Sequence, residues 1–261
     1  MASKFRNGGQ TCVCANRILV QSGIHDRFVA ALAAKVDALK VASGLDAGAD
    51  IGPMINSAAI TKINAHVADA LSKGASRATA TRDLPDQFAD PVVLQGATTE
   101  MQLAGEETFG PVLPVIQFRS EEEAIALAND SEFGLQASVF TGDRQQAERV
   151  MRQLEVGGVS IDNVNKVEGN PWLSFGGRKQ TGNGRARGVE GLMAFTRSKH
   201  VLSDPNNDKI EANWYPYTQA KHQLLRKFTD ALFRRSPLRL LKVALIGLKL
   251  ESVSQKPRNK N

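Results

Sequence analysis

Between Asn16 and Ile161, short apolar and β-branched runs take turns with segments whose apolar residues recur at helical spacing. Asn16–Gln21 reads as a buried strand, followed from about Ile24 by a helix with Phe28, Leu32, Val36 and Leu39 on one face. Ile60, Ile63, Val67 and Leu71 mark a second helix, which Gly74 stops. Pro91–Leu94 and Val112–Ile116 read as strands, and Ser120 with Glu123 forms a capping pair ahead of a third helix. Ala137–Phe140 and Val156–Ile161 read as strands on either side of a helix capped by Asp143. Strands that are apolar at consecutive positions are buried on both faces, as in a parallel sheet covered by helices on each side. The expected class is therefore α/β, a largely parallel sheet flanked by helices. Ala194–Leu202 reads as one more strand, and Asp204–Asp208 as a turn or linker.

The 261 residues suffice for a sizeable core. Charge is uneven: Ser203–Asn261 holds twelve Lys and Arg against five Asp and Glu, leaving residues 1–202 close to neutral. A neutral body argues against nucleic-acid binding and moves any electrostatic partner to the tail. The tail shows a helical pattern (Leu224, Leu225, Phe228, Leu232, Phe233), then an apolar run from Leu238 to Leu250 broken by Arg239, Lys242 and Lys249. That run is too short and too charged to span a bilayer, but it suits an interfacial helix on anionic lipid, or one packed on its own domain or a sister subunit. Two cysteines spaced Cys-x-Cys, with four scattered histidines, make neither a disulfide framework nor a metal site. A reducing, cytoplasm-like compartment is expected.

Both cysteines, Cys12 and Cys14, lie in Lys4–Arg17 behind the pair Gly8 and Gly9. Glycines there allow unusual backbone angles and a close approach of substrate to the main chain. A thiol in such a turn can aim its own amide at the oxyanion of an attacked carbonyl, and Arg6 adds potential favouring a thiolate. A buried, inert thiol is the plainer alternative. Glu106–Val112 places two carboxylates before a Phe-Gly-Pro turn, which alone reads as a solvated loop. Gly176–Gly188 is rich in glycine and basic residues, as in a loop, and its Gly182, Gly184 and Gly188 miss the dinucleotide fingerprint because Arg187 stands where the third glycine belongs.

In order and spacing the three stretches resemble the aldehyde dehydrogenase superfamily: Phe5-x-x-x-Gly9-Gln10-x-Cys12, Glu107-x-Phe109-Gly110-Pro111 and Phe175-Gly176-Gly177-x-Lys179-x-x-Gly182-x-Gly184-Arg185. The resemblance covers residues 1 to about 202, is closest to succinate-semialdehyde dehydrogenases, and divides the chain into a catalytic domain (1–193), an oligomerisation strand (194–202) and a basic extension (203–261). It implies that Cys12 is the nucleophile that attacks an aldehyde, passing through a thiohemiacetal and a thioester, with NAD or NADP as oxidant. It implies that Glu107 holds the nicotinamide ribose, that Phe109 packs near the nicotinamide and that Phe175 lines the substrate tunnel. Arg6 matches an arginine that binds the distal carboxylate of succinate semialdehyde. Cys14 matches a second cysteine that in some members closes a redox-switch disulfide with the nucleophile. Partners by the same resemblance are a small aldehyde and either further copies of the chain or a full-length family subunit.

Two departures leave alternatives open. The stretch Asn163–Ser174, with Trp172, is not of the succinate type, and the tail around Trp214–Tyr217 looks more like bacterial relatives with basic extensions, so a bulkier apolar or aromatic aldehyde is the competing substrate. The family's dinucleotide-binding domain, general-base glutamate, oxyanion-hole asparagine and cofactor-phosphate lysine all precede the nucleophile. They are expected outside this chain, whether the gene model is truncated or the protein is split, and the chain alone is expected not to reduce NAD(P)+. A non-catalytic member that pairs with full-length subunits is the alternative from another class.

Overall fold

The computed structural model describes residues 1–164, 167–203 and 210–255. The chain divides into two units, Met1–Arg197 and Ser198–Asn261.

The first unit opens with the short helix α1 (Ala2–Phe5), then strand β1 (Ile18–Gln21) and helices α2 (His25–Asp37) and α3 (Ser57–Ser72). Strands β2 (Ser76–Arg77) and β3 (Val92–Gln95) follow, then α4 (Gln102–Gly105), β4 (Val112–Phe118) and α5 (Glu121–Asn129). The remainder is β5 (Phe133–Gly134), β6 (Gln136–Val139), α6 (Arg144–Gln153), β7 (Gly158–Ile161), β8 (Arg178–Lys179) and α7 (Gly188–Met193). The main sheet runs β1-β4-β3-β2, with β1, β4 and β3 parallel and β2 antiparallel to β3. β6 and β7 form a separate parallel pair, and β5 and β8 an antiparallel one.

The central strands are buried on both faces, as their unbroken apolar runs imply. Val92, Leu94, Val112 and Ile116 face one core, shared with Ile63, Ala70 and Met101. Val93, Leu113 and Val115 face the other, shared with Phe5, Val29, Leu32 and Val36. Pro114 sits inside β4, although proline lacks the N–H that a central strand uses on both sides. The register explains it: Val112 to Pro114 pair with β3, whereas pairing with β1 begins only at Val115. Proline stands where the ladder changes partner.

The caps at Ser120 and Asp143 fall where expected, and Asn56 adds one that was not foreseen. Asn56 Oδ1 accepts from Ala59 N–H at the head of α3 (2.9 Å), Ser120 Oγ from Glu123 N–H (3.2 Å) and Asp143 Oδ1 from Gln145 N–H (2.8 Å). Glu123 reaches back to the N–H of Arg119, one residue before the cap (2.7 Å). Gly74 follows α3 with a φ of +97°, which suits glycine.

Three expectations need correction. α3 buries Ile63 and packs Ile60 and Val67 against the core as expected, but Leu71 turns outward, and His66 and Ala70 complete the buried stripe. Gly176–Gly188 is mostly irregular, as a loop is, but it holds the short β8, paired to β5, and its ends are drawn together where Phe175 is bridged to Ala186. Ala194–Leu202 forms no strand. α7 ends at Met193, and Phe195, Val201 and Leu202 are exposed. A strand needs a neighbour to satisfy its backbone, and among the described residues no other strand pairs with it. The expected turn at Asp204–Asp208 lies outside the described residues.

The second unit is a pair of helices, α8 (Gln219–Phe233) and α9 (Arg239–Ser254). Thr218 Oγ1 caps α8 through Lys221 N–H (3.2 Å), and the buried Lys221 ammonium donates to the Trp214 carbonyl (2.6 Å). The apolar run Leu238–Leu250 is thus helical, with Gly247 set against the Phe228 ring.

Candidate active site

The loop that carries Cys12 is held at both ends and left open at its crest. Phe5 anchors it in the core, and Ala15 N–H donates to the Ser3 carbonyl (2.7 Å), closing the loop. Asn7, Gly8 and Gly9 are successive left-handed residues with φ of +53°, +63° and +77°. Such a run is costly for most side chains, and it brings Gly9 against the Gly110 carbonyl, where a Cβ has no room. The Gln10 side chain accepts from Ile55 N–H (2.9 Å) and donates to the Asn7 carbonyl (3.1 Å), so this motif residue serves the loop.

Cys12 is exposed and Cys14 is half-buried; both thiols are free. Cys14 Sγ lies 2.8 Å from the Thr11 hydroxyl and 3.9 Å from the Arg6 carbonyl. Among the described residues the Cys12 N–H has no acceptor, whereas the neighbouring Cys14 N–H donates to Thr11 (3.0 Å). Arg6 is exposed.

The Glu106–Pro111 segment is tied to this loop by Asn16, whose amide donates to the carbonyls of Leu103 (3.0 Å) and Glu106 (3.3 Å) and accepts from Thr108 N–H (3.5 Å). From α3, Lys62 donates to the Glu107 carbonyl (2.6 Å). Buried His66 meets the Thr108 hydroxyl with Nδ1 (3.0 Å) and Glu106 Oε2 with Nε2 (3.5 Å). Burial, reinforced by Lys62, holds His66 below its ordinary value against the pull of Glu106. The backbone on both sides of Glu107 is thereby fixed while its side chain stays exposed. Partial desolvation raises the Glu107 carboxyl, with Lys62 and Lys4 opposing. Phe109, at φ +52°, turns its ring outward.

Lys4 was not visible as a site residue in the sequence, yet it is buried between the two segments. Burial brings its ammonium down to about 8, while Cys14 and Glu107 pull the other way. Since the unfolded lysine titrates near 10.5, the unfolded chain holds more protons between those values. The stability term from Lys4 therefore rises from pH 8 to pH 10.5 and is lost as pH falls back through 8. Lys4→Met is expected to be more stable than the parent at pH 7, by at most about 3 kcal/mol, with the difference closing by pH 10.5. Urea unfolding across that range checks it.

Phe175 stands differently. Two backbone hydrogen bonds (2.7 Å each) join it to Ala186, and the Arg187 guanidinium lies 5.6 Å from its ring centroid. Its described contacts are with its own glycine turn, which packs through Gly176 on Gly157 at the start of β7. The structure thus packs the loop that carries Arg6, Cys12 and Cys14 against the segment that carries Glu107 and Phe109, through Gly9 on Gly110 and Asn16 on Glu106 and Thr108, and no described contact ties Phe175 to them. Lys4, Asn16, Lys62 and His66 are the supporting residues that motif reading missed; their spacing carries no signal, because each acts through a partner distant in sequence.

The model of the aldehyde dehydrogenase family matches residues 1–201. The succinate semialdehyde dehydrogenase of Acinetobacter baylyi is 42% identical over 207 residues, covering 77% of this chain and 42% of that protein. The 3-sulfolactaldehyde dehydrogenase of Pseudomonas putida is 43% identical over 203 residues, covering 77% and 41%. The crystal structure of betaine aldehyde dehydrogenase from Staphylococcus aureus in complex with NAD+ superposes with a TM-score of 0.75 at 37% identity, covering 82% of this chain and 43% of that one. The chain spans about two fifths of the length of the relatives it matches. With the family model covering most of its residues, the chain belongs to the aldehyde dehydrogenase family.

Proposed function

We propose that this chain is the nucleophile-bearing part of an NAD(P)-dependent aldehyde dehydrogenase acting on a short aldehyde with an anionic far end, succinate semialdehyde being the leading case. The observation that carries the reading is the loop crest: exposed Cys12, an N–H without an internal acceptor, and exposed Arg6 on the same loop. Cys12 Sγ attacks the aldehyde carbon, and the Cys12 N–H steadies the oxyanion of the thiohemiacetal. Loss of hydride leaves a thioester on Cys12, which water opens to the acid. Arg6 pairs with the distal anion, and Phe175 belongs to the substrate side.

The exposed Glu107 carboxyl, with its backbone clamped by Lys62, fits as an acceptor for two ribose hydroxyls, and the outward ring of Phe109 offers a nicotinamide an apolar face. A bound nicotinamide cofactor supplies the hydride acceptor. Cys14 is the candidate redox partner of Cys12. The segment Ala194–Leu202, which forms no strand here and exposes Phe195, Val201 and Leu202, is the candidate to become one on pairing with another copy or a family subunit.

The relatives named for succinate semialdehyde and 3-sulfolactaldehyde support an anionic substrate. The test is protection of Cys12 from iodoacetamide, read on its peptide by mass spectrometry, which needs neither cofactor nor general base. Succinate semialdehyde is expected to protect at concentrations at least about tenfold lower than uncharged butanal, an ion-pair-sized difference that Arg6→Gln removes. Equal protection by both aldehydes overturns the anionic reading. The second reading, an aromatic aldehyde, rests on exposed Trp172, and benzaldehyde as the better protectant favours it.

A further inference from the structure

The two-helix unit has an apolar face that its own packing leaves uncovered. α9 turns Leu250 and Ser254 inward, with Val243, Ile246, Gly247 and Val253 half-buried beside them. On the opposite side Leu238, Leu241, Leu245 and Leu248 follow at i, i+3, i+7 and i+10, each more than half exposed. Phe233, the last residue of α8, is 77% exposed.

Cations border the stripe. Lys242 and Lys249 stand three residues before and four after Leu245, on one flank, and Arg234, Arg235 and Arg239 cluster at the turn. All five are exposed, and among the described residues none has an acidic partner. Glu251, on the other flank, is the one acid in α9.

We infer that this face docks on the surface of an anionic lipid bilayer. A second copy stacked leucine to leucine would bring the same cations together, at a cost in repulsion. A bilayer with anionic headgroups takes both features at once: leucines enter the acyl boundary while lysine stems extend upward to the headgroups. α9 is about 24 Å long and lies on the membrane. No helix among the described residues is long and apolar enough to cross one.

The test is co-sedimentation of the full chain with vesicles of phosphatidylcholine alone or mixed with phosphatidylserine. Pelleting with the mixed vesicles only, weakening as salt rises, is expected. Arg234→Gln with Arg235→Gln should weaken binding about thirty-fold, and Leu245→Gln with Leu248→Gln at least about tenfold. Circular dichroism confirms that helix content is kept, since neither pair touches the inner face of α9. No pelleting, equal pelleting with neutral vesicles, or indifference to both substitution pairs in folded protein overturns the inference. So does self-association that the leucine variant abolishes without any lipid binding. The readout involves no aldehyde chemistry, so it stands or falls apart from the proposed function.

Discussion

Gly9→Ala is expected to lower the stability of the chain by about 3 kcal/mol or more and to leave the thiol loop disordered. Two costs act together. The residue holds a φ of +77°, where an L side chain is strained by about 1–2 kcal/mol. Its Cβ would also fall on the Gly110 carbonyl oxygen, and backbone cannot rotate away as a flexible side chain can. Relief requires the thiol loop and the Phe109–Pro111 turn to separate, which dismantles the contact between the two halves of the site. A midpoint lowered by roughly 6–12 °C in thermal unfolding is the expected reading. Gly105→Ala is the matched control. A Cβ there meets nothing within 4 Å, and its φ is outside the left-handed range, so a gain of a few tenths to about 1 kcal/mol is expected. Equal behaviour of the two variants would refute the close-approach account.

Cys12→Ala is expected to abolish acylation of the chain by p-nitrophenyl acetate, while Cys14→Ala keeps it. In this reaction the Cys12 sulfur takes the acetyl group, p-nitrophenolate leaves, and water then opens the thioester. It needs a nucleophile and an oxyanion donor but no cofactor. The two thiols are of one chemical kind and differ in setting: Cys12 is exposed beside its own unpaired N–H, whereas Cys14 is half-buried against the Thr11 hydroxyl. Mass increase on the Cys12 peptide, lost at least about a hundred-fold in Cys12→Ala, is the measure; a loss of that size matches removal of a covalent nucleophile. Acetylation that moves wholly to Cys14 in the parent protein would reverse the assignment.

Several elements were legible because their signals are local. Ser120 and Asp143 announce helix starts through side-chain chemistry that acts within three residues, and the double-faced burial of β3 and β4 shows as unbroken apolar runs. The thiol loop was legible from its glycines and the Glu107 segment from its motif. What stayed hidden depends on partners far along the chain. His66 occupies a core position because Thr108 and Glu106 satisfy it. Lys4 is a buried cation whose opposing charges sit on other segments. Ala194–Leu202 carries strand-like residues, but a strand is completed by a neighbour, and its own residues do not specify one.

The change of partner at Pro114 bears on the order in which the site is assembled. β3 and β4 are close in sequence and joined through α4, so their pairing closes a short loop. β1 reaches β4 only across most of the intervening chain, as does the Asn16 amide, whose acceptor at Leu103 is 87 residues away. Long closures carry a larger entropic penalty and form late. By this argument β1, and with it the thiol loop that precedes it, is expected to dock after β2–β4 have paired. A chain that has lost its β1 register could still present a well-packed β2–β4 core, with Cys12 reduced to an ordinary surface thiol.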